Sequence, residues 1–160
     1  MRKFGLLIAI VFLSSCAVFQ PKHFTQTSLN EELLTLERKS TSFKEVLKQH
    51  KGKKIFIQIF ASYCPYSQRS FEDVLLFQKK NPELTYVFVS VDHSYHDWKR
   101  GLESIFVKGQ HYYLPKKGKG ELGEFLNLKT IPRFLIIDEE GKIKVYKASK
   151  VSDKLQNKTQ

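Results

Sequence analysis

Three short, nearly unbroken apolar runs set the frame within which this chain can fold: residues 54–60 (KIFIQIF), 86–91 (YVFVSV) and 134–138 (FLIID). Apolar runs without alternation suit strands buried on both faces. Between the first two, residues 65–80 set Phe71, Val74, Leu75 and Gln78 at helical spacing and end at Asn81-Pro82. Upstream, Ser42 and Glu45 form a capping box. The helix it opens keeps Phe43, Val46 and Leu47 on one face and stops near Gly52. Downstream, residues 98–106 repeat at helical period through Trp98, Leu102, Ile105 and Phe106. A Lys- and Gly-rich loop over 109–120 follows, then a short helix ending near Leu126. Residues 139–142 (EEGK) read as a hairpin turn from which 143–146 returns antiparallel. Strand, helix, strand, helix and a closing hairpin predict an α/β fold with a mixed central sheet flanked by helices.

The chain has 160 residues, one domain's worth. At 41% hydrophobic and 13% aromatic residues it carries enough apolar surface to offset the entropy of folding, which excludes a disordered chain. Two cysteines are too few for a disulfide-stapled miniprotein, and no CxxC pair exists for a zinc ribbon. Cysteine chemistry therefore rests on Cys16 or Cys64. Lys and Arg (27) exceed Asp and Glu (16), giving a net charge of +11. The excess is spread over residues 48–54, 116–119 and 142–150 instead of forming a stripe, so nucleic acid is not an expected partner. Lysines near a membrane surface would each gain ~1 kcal/mol against anionic head groups, but a solvated surface accounts for most of them.

Residues 1–15 read as an export signal. Arg2 and Lys3 precede an uncharged run of about ten residues, Phe4 to Leu13, too short to span a hydrocarbon core of ~30 Å. Leu13-Ser14-Ser15-Cys16 resembles the lipobox of bacterial lipoproteins, which implies cleavage before Cys16 and acylation of that cysteine. Buried acyl chains at ~0.8 kcal/mol per methylene would make the attachment effectively permanent. Residues 16–41 are then a lipid-anchored tether and lead-in, with a short helix expected over 31–38, and residues 152–160 are a short polar tail. This places one free thiol, Cys64, in an exported, oxidising compartment.

Cys64-Pro65-Tyr66-Ser67 falls at the junction of the first strand and its helix. A thiol there faces unsatisfied N–H groups and the positive end of the helix dipole, which favour its thiolate. Pro65 suits the first helical position. Ser67 is within reach to donate a hydroxyl bond to the sulfur. Strand, cysteine, proline and helix in this order describe a nucleophile.

The segments IFASYCPYS (59–67) and TIPRFLIID (130–138), with Gly141-Lys142-Ile143, resemble the thioredoxin superfamily, and within it the envelope-anchored TlpA-like thiol–disulfide oxidoreductases. The likeness covers about residues 42–151, the expected thioredoxin-like domain. It implies a cis peptide before Pro132, with Ile131 pairing to substrate backbone, and a substrate groove formed by Tyr63, Pro65, Tyr66 and Ile131. Three positions depart from the family. Ser67 stands where the family has its second cysteine, so no intramolecular disulfide can form and only mixed-disulfide exchange remains. Gln58 stands six residues before Cys64, where thioredoxins bury an acid that relays protons. Tyr63 replaces the usual Trp.

Related chemistries fit less well. Sco-type copper chaperones use two cysteines and a distant His, and only one such cysteine is present here. Peroxiredoxins need Thr or Ser three residues before the cysteine, where Ala61 stands. His93 and His96 read as a solvated loop and helix cap, and His111 as a rim residue, so no metal or other cofactor is expected. The expected function is membrane-anchored, single-cysteine thiol–disulfide exchange on envelope proteins carrying thiols or disulfides. A small thiol or a membrane reductase would act as co-reactant. The alternative is a redox-inactive module of the same fold that binds a partner.

Overall fold

Strand β3 (Ile55–Phe60) is buried at every position, and the rest of the fold is laid out on either side of it. The computed structural model describes residues 20–152, 155 and 157–159; the expected signal over 1–15 and the lipidation site Cys16 lie outside the described residues. In chain order the other strands are β1 (Glu32–Leu34), β2 (Ser40–Ser42), β4 (Thr85–Ser90), β5 (Gln110–Tyr113), β6 (Arg133–Ile137) and β7 (Ile143–Ala148). They form one mixed sheet in the order β2-β1-β5-β4-β3-β6-β7. β4 runs parallel to β3 and β6 antiparallel to it. The helices are α1 (Gln26–Leu29), α2 (Phe43–Gln49), α3 (Pro65–Lys80), α4 (Tyr95–Gly101) and α5 (Glu121–Phe125).

Alternation along the central strands builds two cores. Ile55, Ile57 and Ile59 of β3 join Phe43 and Val46 of α2 and Leu122 of α5 on one face. Phe56 and Phe60 join Phe71, Val74 and Phe77 of α3 and Trp98 of α4 on the other. Helices thus cover both faces, as a sheet with parallel strands at its centre requires. Ser42 caps α2 as expected: its hydroxyl accepts from Glu45 N at 3.2 Å while Glu45 Oε2 accepts from Ser42 N at 3.1 Å.

Three local expectations are corrected. Residues 31–38 are not helical; β1 pairs with β2 and, through Leu34 opposite Tyr113, with β5. Arg38, at φ 61°, turns the chain between them, and ladder pairing at the sheet edge outweighs local helical preference. The stretch expected as tether and lead-in therefore supplies a helical turn and two strands. The helix expected over 98–106 starts at Tyr95 and ends at Gly101, with a 3₁₀ turn over Leu102–Ser104. Inside the expected 109–120 loop, Gln110–Tyr113 forms β5, parallel to β4. In the tail, Leu155 is buried in the α3 face and Thr159 Oγ1 donates to Asn81 Oδ1 at 3.1 Å.

Candidate functional site

β3 ends at Phe60, and the loop 61–64 delivers Cys64 to the head of α3. Cys64 is the N-cap residue in an extended conformation, with Pro65 at the first helical position. Its sulfur is half-buried and makes no side-chain cap bond. It lies 4.0 Å from the Ile131 carbonyl oxygen. The Ile131–Pro132 peptide bond is cis. Two segments 67 residues apart in sequence thus meet at the sulfur. Tyr63 and Tyr66 flank it and are 51% and 69% exposed.

Ser67 does not do what was expected of it. Its side chain is fully buried, and its hydroxyl has no hydrogen-bond partner among the described residues, the Cys64 sulfur included. Gln58, equally buried in mid-β3, sits on the α3 side of the sheet. Its amide donates to Ser70 Oγ at 3.0 Å, and Ser70 Oγ donates to the Ser67 carbonyl at 2.7 Å. The position therefore anchors the first turns of α3 and holds no ionisable group. Gln58 Oε1 has no partner among the described residues.

Sequence patterns did not reveal Asp92. It directly precedes His93, whose surroundings read as a solvated loop, yet it is fully buried just beyond β4. Its carboxylate accepts from Ser62 N at 3.0 and 3.1 Å, from Ser62 Oγ at 2.7 Å and from Ser90 Oγ at 2.6 Å. Gln68 adds a bond to the Ser62 carbonyl at 2.7 Å. The turn leading to Cys64 is thereby fixed from the sheet and from α3. The available signal was an acid directly after a buried strand. Its neighbour His93 is exposed and stacks on Tyr63 with ring centroids 4.3 Å apart. His96 is exposed, and Ser94 caps α4 by accepting from Asp97 N at 3.1 Å.

Arg133 was also missed. It follows Pro132, is buried, and donates to the Leu126 carbonyl at the C-terminus of α5 at 2.9 Å. Burial lowers its pKa from the ordinary guanidinium value, and the nearby Tyr146 opposes that shift. Tyr146 donates to the Phe125 carbonyl beside it, and burial raises that phenol's pKa. Arg133 ties the end of α5 to the Pro132 segment, and Tyr146 ties it to β7. On the outer side, a groove of about 460 Å³ runs between α3 and this segment, lined by Tyr66, Arg69, Ser70, Asp73, Ile131 and Pro132 among others. Among the described residues no group of three or more His, Cys, Asp or Glu side chains is placed to hold a metal ion.

A family model described as Thioredoxin-like matches residues 52–143, which include both Cys64 and Pro132. The thioredoxin domain of a thiol-disulfide oxidoreductase from Bacteroides vulgatus is 24% identical, with a TM-score of 0.65 over 82% of this chain and 91% of that one. A thiol-disulfide oxidoreductase from Bacteroides fragilis is 12% identical, with a TM-score of 0.68 over 83% and 96%. A secreted disulfide oxidoreductase from Mycobacterium tuberculosis is 14% identical, with a TM-score of 0.62 over 82% and 96%. At these identities the likeness is one of fold. No curated protein matches the chain. The family model spans more than half of the sequence and both halves of the site, and the chain belongs to the thioredoxin-like family.

Proposed function

We propose that this protein is a lipid-anchored thiol–disulfide oxidoreductase of the bacterial envelope that works through one thiol, Cys64. The observation that carries the reading is the half-exposed Cys64 sulfur at the head of a 16-residue helix, 4.0 Å from the carbonyl of the cis Ile131–Pro132 bond, with Ser67 one turn on. In the forward step Cys64 gives its proton to solvent and the sulfur attacks one sulfur of a substrate disulfide. The substrate S–S bond breaks, its other half leaves as a thiolate with the bonding pair, and a Cys64–substrate disulfide forms. With a hydroxyl at 67 and Cys16 acylated, the chain offers no second thiol to break that bond. Release requires a second thiol. A thiol of the same substrate gives isomerisation with no net redox change. Two small thiols in succession, the first freeing the substrate thiol and leaving a Cys64 adduct that the second removes as a disulfide, or one dithiol membrane reductase, supply the two electrons of reduction.

Support for the envelope location comes from residues 1–16 and from the secreted relative in Mycobacterium tuberculosis. Among the described residues no helix is long and apolar enough to cross a membrane, and the anchor proposed is acylated Cys16. Palmitate labelling in cells, lost in Cys16→Ala, tests the anchor.

The second reading is a redox-inactive module binding a partner in the same groove. Gln58 favours it, because a buried amide can take no part in proton relay. Removal of glutathione from a glutathionylated peptide, with excess thiol present, separates the two. The full chain in non-ionic detergent should accelerate it, and Cys64→Ser should return it to the background rate. Equal rates for the two proteins would overturn the oxidoreductase reading in favour of the module.

A further inference from the structure

We propose that the groove beside Cys64 selects disulfides flanked by carboxylates; this rests on Cys64 being the exchanging thiol. Of the nine residues lining the groove, Arg69 and Lys150 are cationic and Asp73 alone is acidic. Arg69 has Asp73 one helical turn away, at a spacing suited to an ion pair, yet its guanidinium lies over the Tyr66 ring, 5.2 Å from the centroid. That pose turns the charge toward the Cys64 end of α3. Lys150 stands on the opposite wall with Ser149, next to the Thr130–Pro132 segment. Among the described residues neither cation makes an ion pair. Two cations on the walls of a concavity, without an ion pair among the described residues, concentrate positive potential where a substrate chain must lie. Asp73 sits farther along α3 from the sulfur and opposes them only in part.

A carboxylate a few bonds from the reacting sulfur, as in glutathione, or on a residue adjoining a peptide cysteine, would meet this field during the exchange. The chemistry is the step already described: Cys64 sulfur bonds to one substrate sulfur, the other departs as a thiolate, and no further reactant is needed.

The test is the rate of mixed-disulfide formation at Cys64, read by peptide mass mapping of the full chain in non-ionic detergent at low salt. The probes are glutathione disulfide (anionic), hydroxyethyl disulfide (neutral) and cystamine (cationic), each normalised to its rate with free cysteine. The expected result is a normalised preference for glutathione disulfide over cystamine of about tenfold, weakening at high salt. It should invert in Arg69→Glu/Lys150→Glu and persist in the distant control Lys51→Glu/Lys53→Glu. Equal normalised rates both for these probes and for cystine-bridged peptides with Glu or Lys neighbours, or a preference lost equally in both double variants, would overturn the inference while leaving Cys64 as the exchanging thiol. No adduct with any probe would overturn the thiol-exchange reading itself and this inference with it. Cystine-bridged peptides with Glu or Lys neighbours identify the source. A Glu preference there, without one for glutathione disulfide, assigns the groove to protein substrates, and the reverse assigns it to a small thiol.

Discussion

Asp92 concentrates more polar contacts on one carboxylate than any other side chain near Cys64, accepting from Ser62 N and Oγ and from Ser90 Oγ. A buried carboxylate satisfied in this way fixes its donors, and removing it leaves those donors unpaired. Asp92→Ala should therefore cost about 2–4 kcal/mol by urea unfolding. It should also slow adduct formation at Cys64, because the turn carrying the sulfur loses its tether to β4. Ser90→Ala, which removes one donor to that carboxylate and the acceptor of Asp92 N, should cost about 1–2 kcal/mol and leave the adduct rate near that of the parent, because Ser62 keeps its bonds to Asp92.

His111 supports a pH prediction. Its ring stacks on Phe88 with centroids 4.8 Å apart, and burial lowers its pKa below the ordinary 6.5. Below that ordinary value the unfolded chain binds a proton that the native ring resists. Stability therefore falls as pH drops from the unfolded value toward the lowered native one, and is fully present above both. Thermal melts between about pH 7 and pH 5 should show this decline, and His111→Phe should flatten it.

At the scale of elements, close approach of α4 to the Cys64 loop depends on Gly101. A Cβ there would collide with the Ser62 side chain. Gly101→Ala should gain a little helix propensity but lose about 1–3 kcal/mol to overpacking, displacing the loop that Asp92 holds. Its adduct rate should fall with its stability. Elements with strong periodicity were legible from sequence. The run at 65–80 is α3 in full because Phe71, Val74 and Phe77 bury along one stripe and Asn81-Pro82 stops it. β5 was hidden because Gln110 and His111 read as polar, and only the ladder with β4 reveals that Tyr112 and Tyr113 bury on opposite faces. β1 and β2 have three residues each, too few to show a period, and exist through pairing alone. For the same reason Cys64 and Pro132 could be read from local motifs, whereas Asp92 and Arg133 could not: their partners, Ser62 and Leu126, are chosen by tertiary contact.

Across the whole molecule, the sheet brings a thiol, a cis peptide carbonyl and a cation-lined groove together at one end of its inner strands β3 and β6. The site is incomplete as a dithiol centre only at Ser67, whose buried hydroxyl bonds nothing among the described residues. Because Ser67 already faces no competing partner, Ser67→Cys should fold and convert the chain into one that releases its own adducts. The most direct measurement is the lifetime of the mixed disulfide that Cys64 forms with glutathione, followed by intact mass in the absence of added thiol. The expected result is a stoichiometric adduct that persists in the parent chain, while Ser67→Cys discards it as the introduced thiol closes an internal disulfide with Cys64. An adduct that never forms on the native parent, yet forms readily once the chain is unfolded, would contradict the assignment of Cys64 as the working thiol.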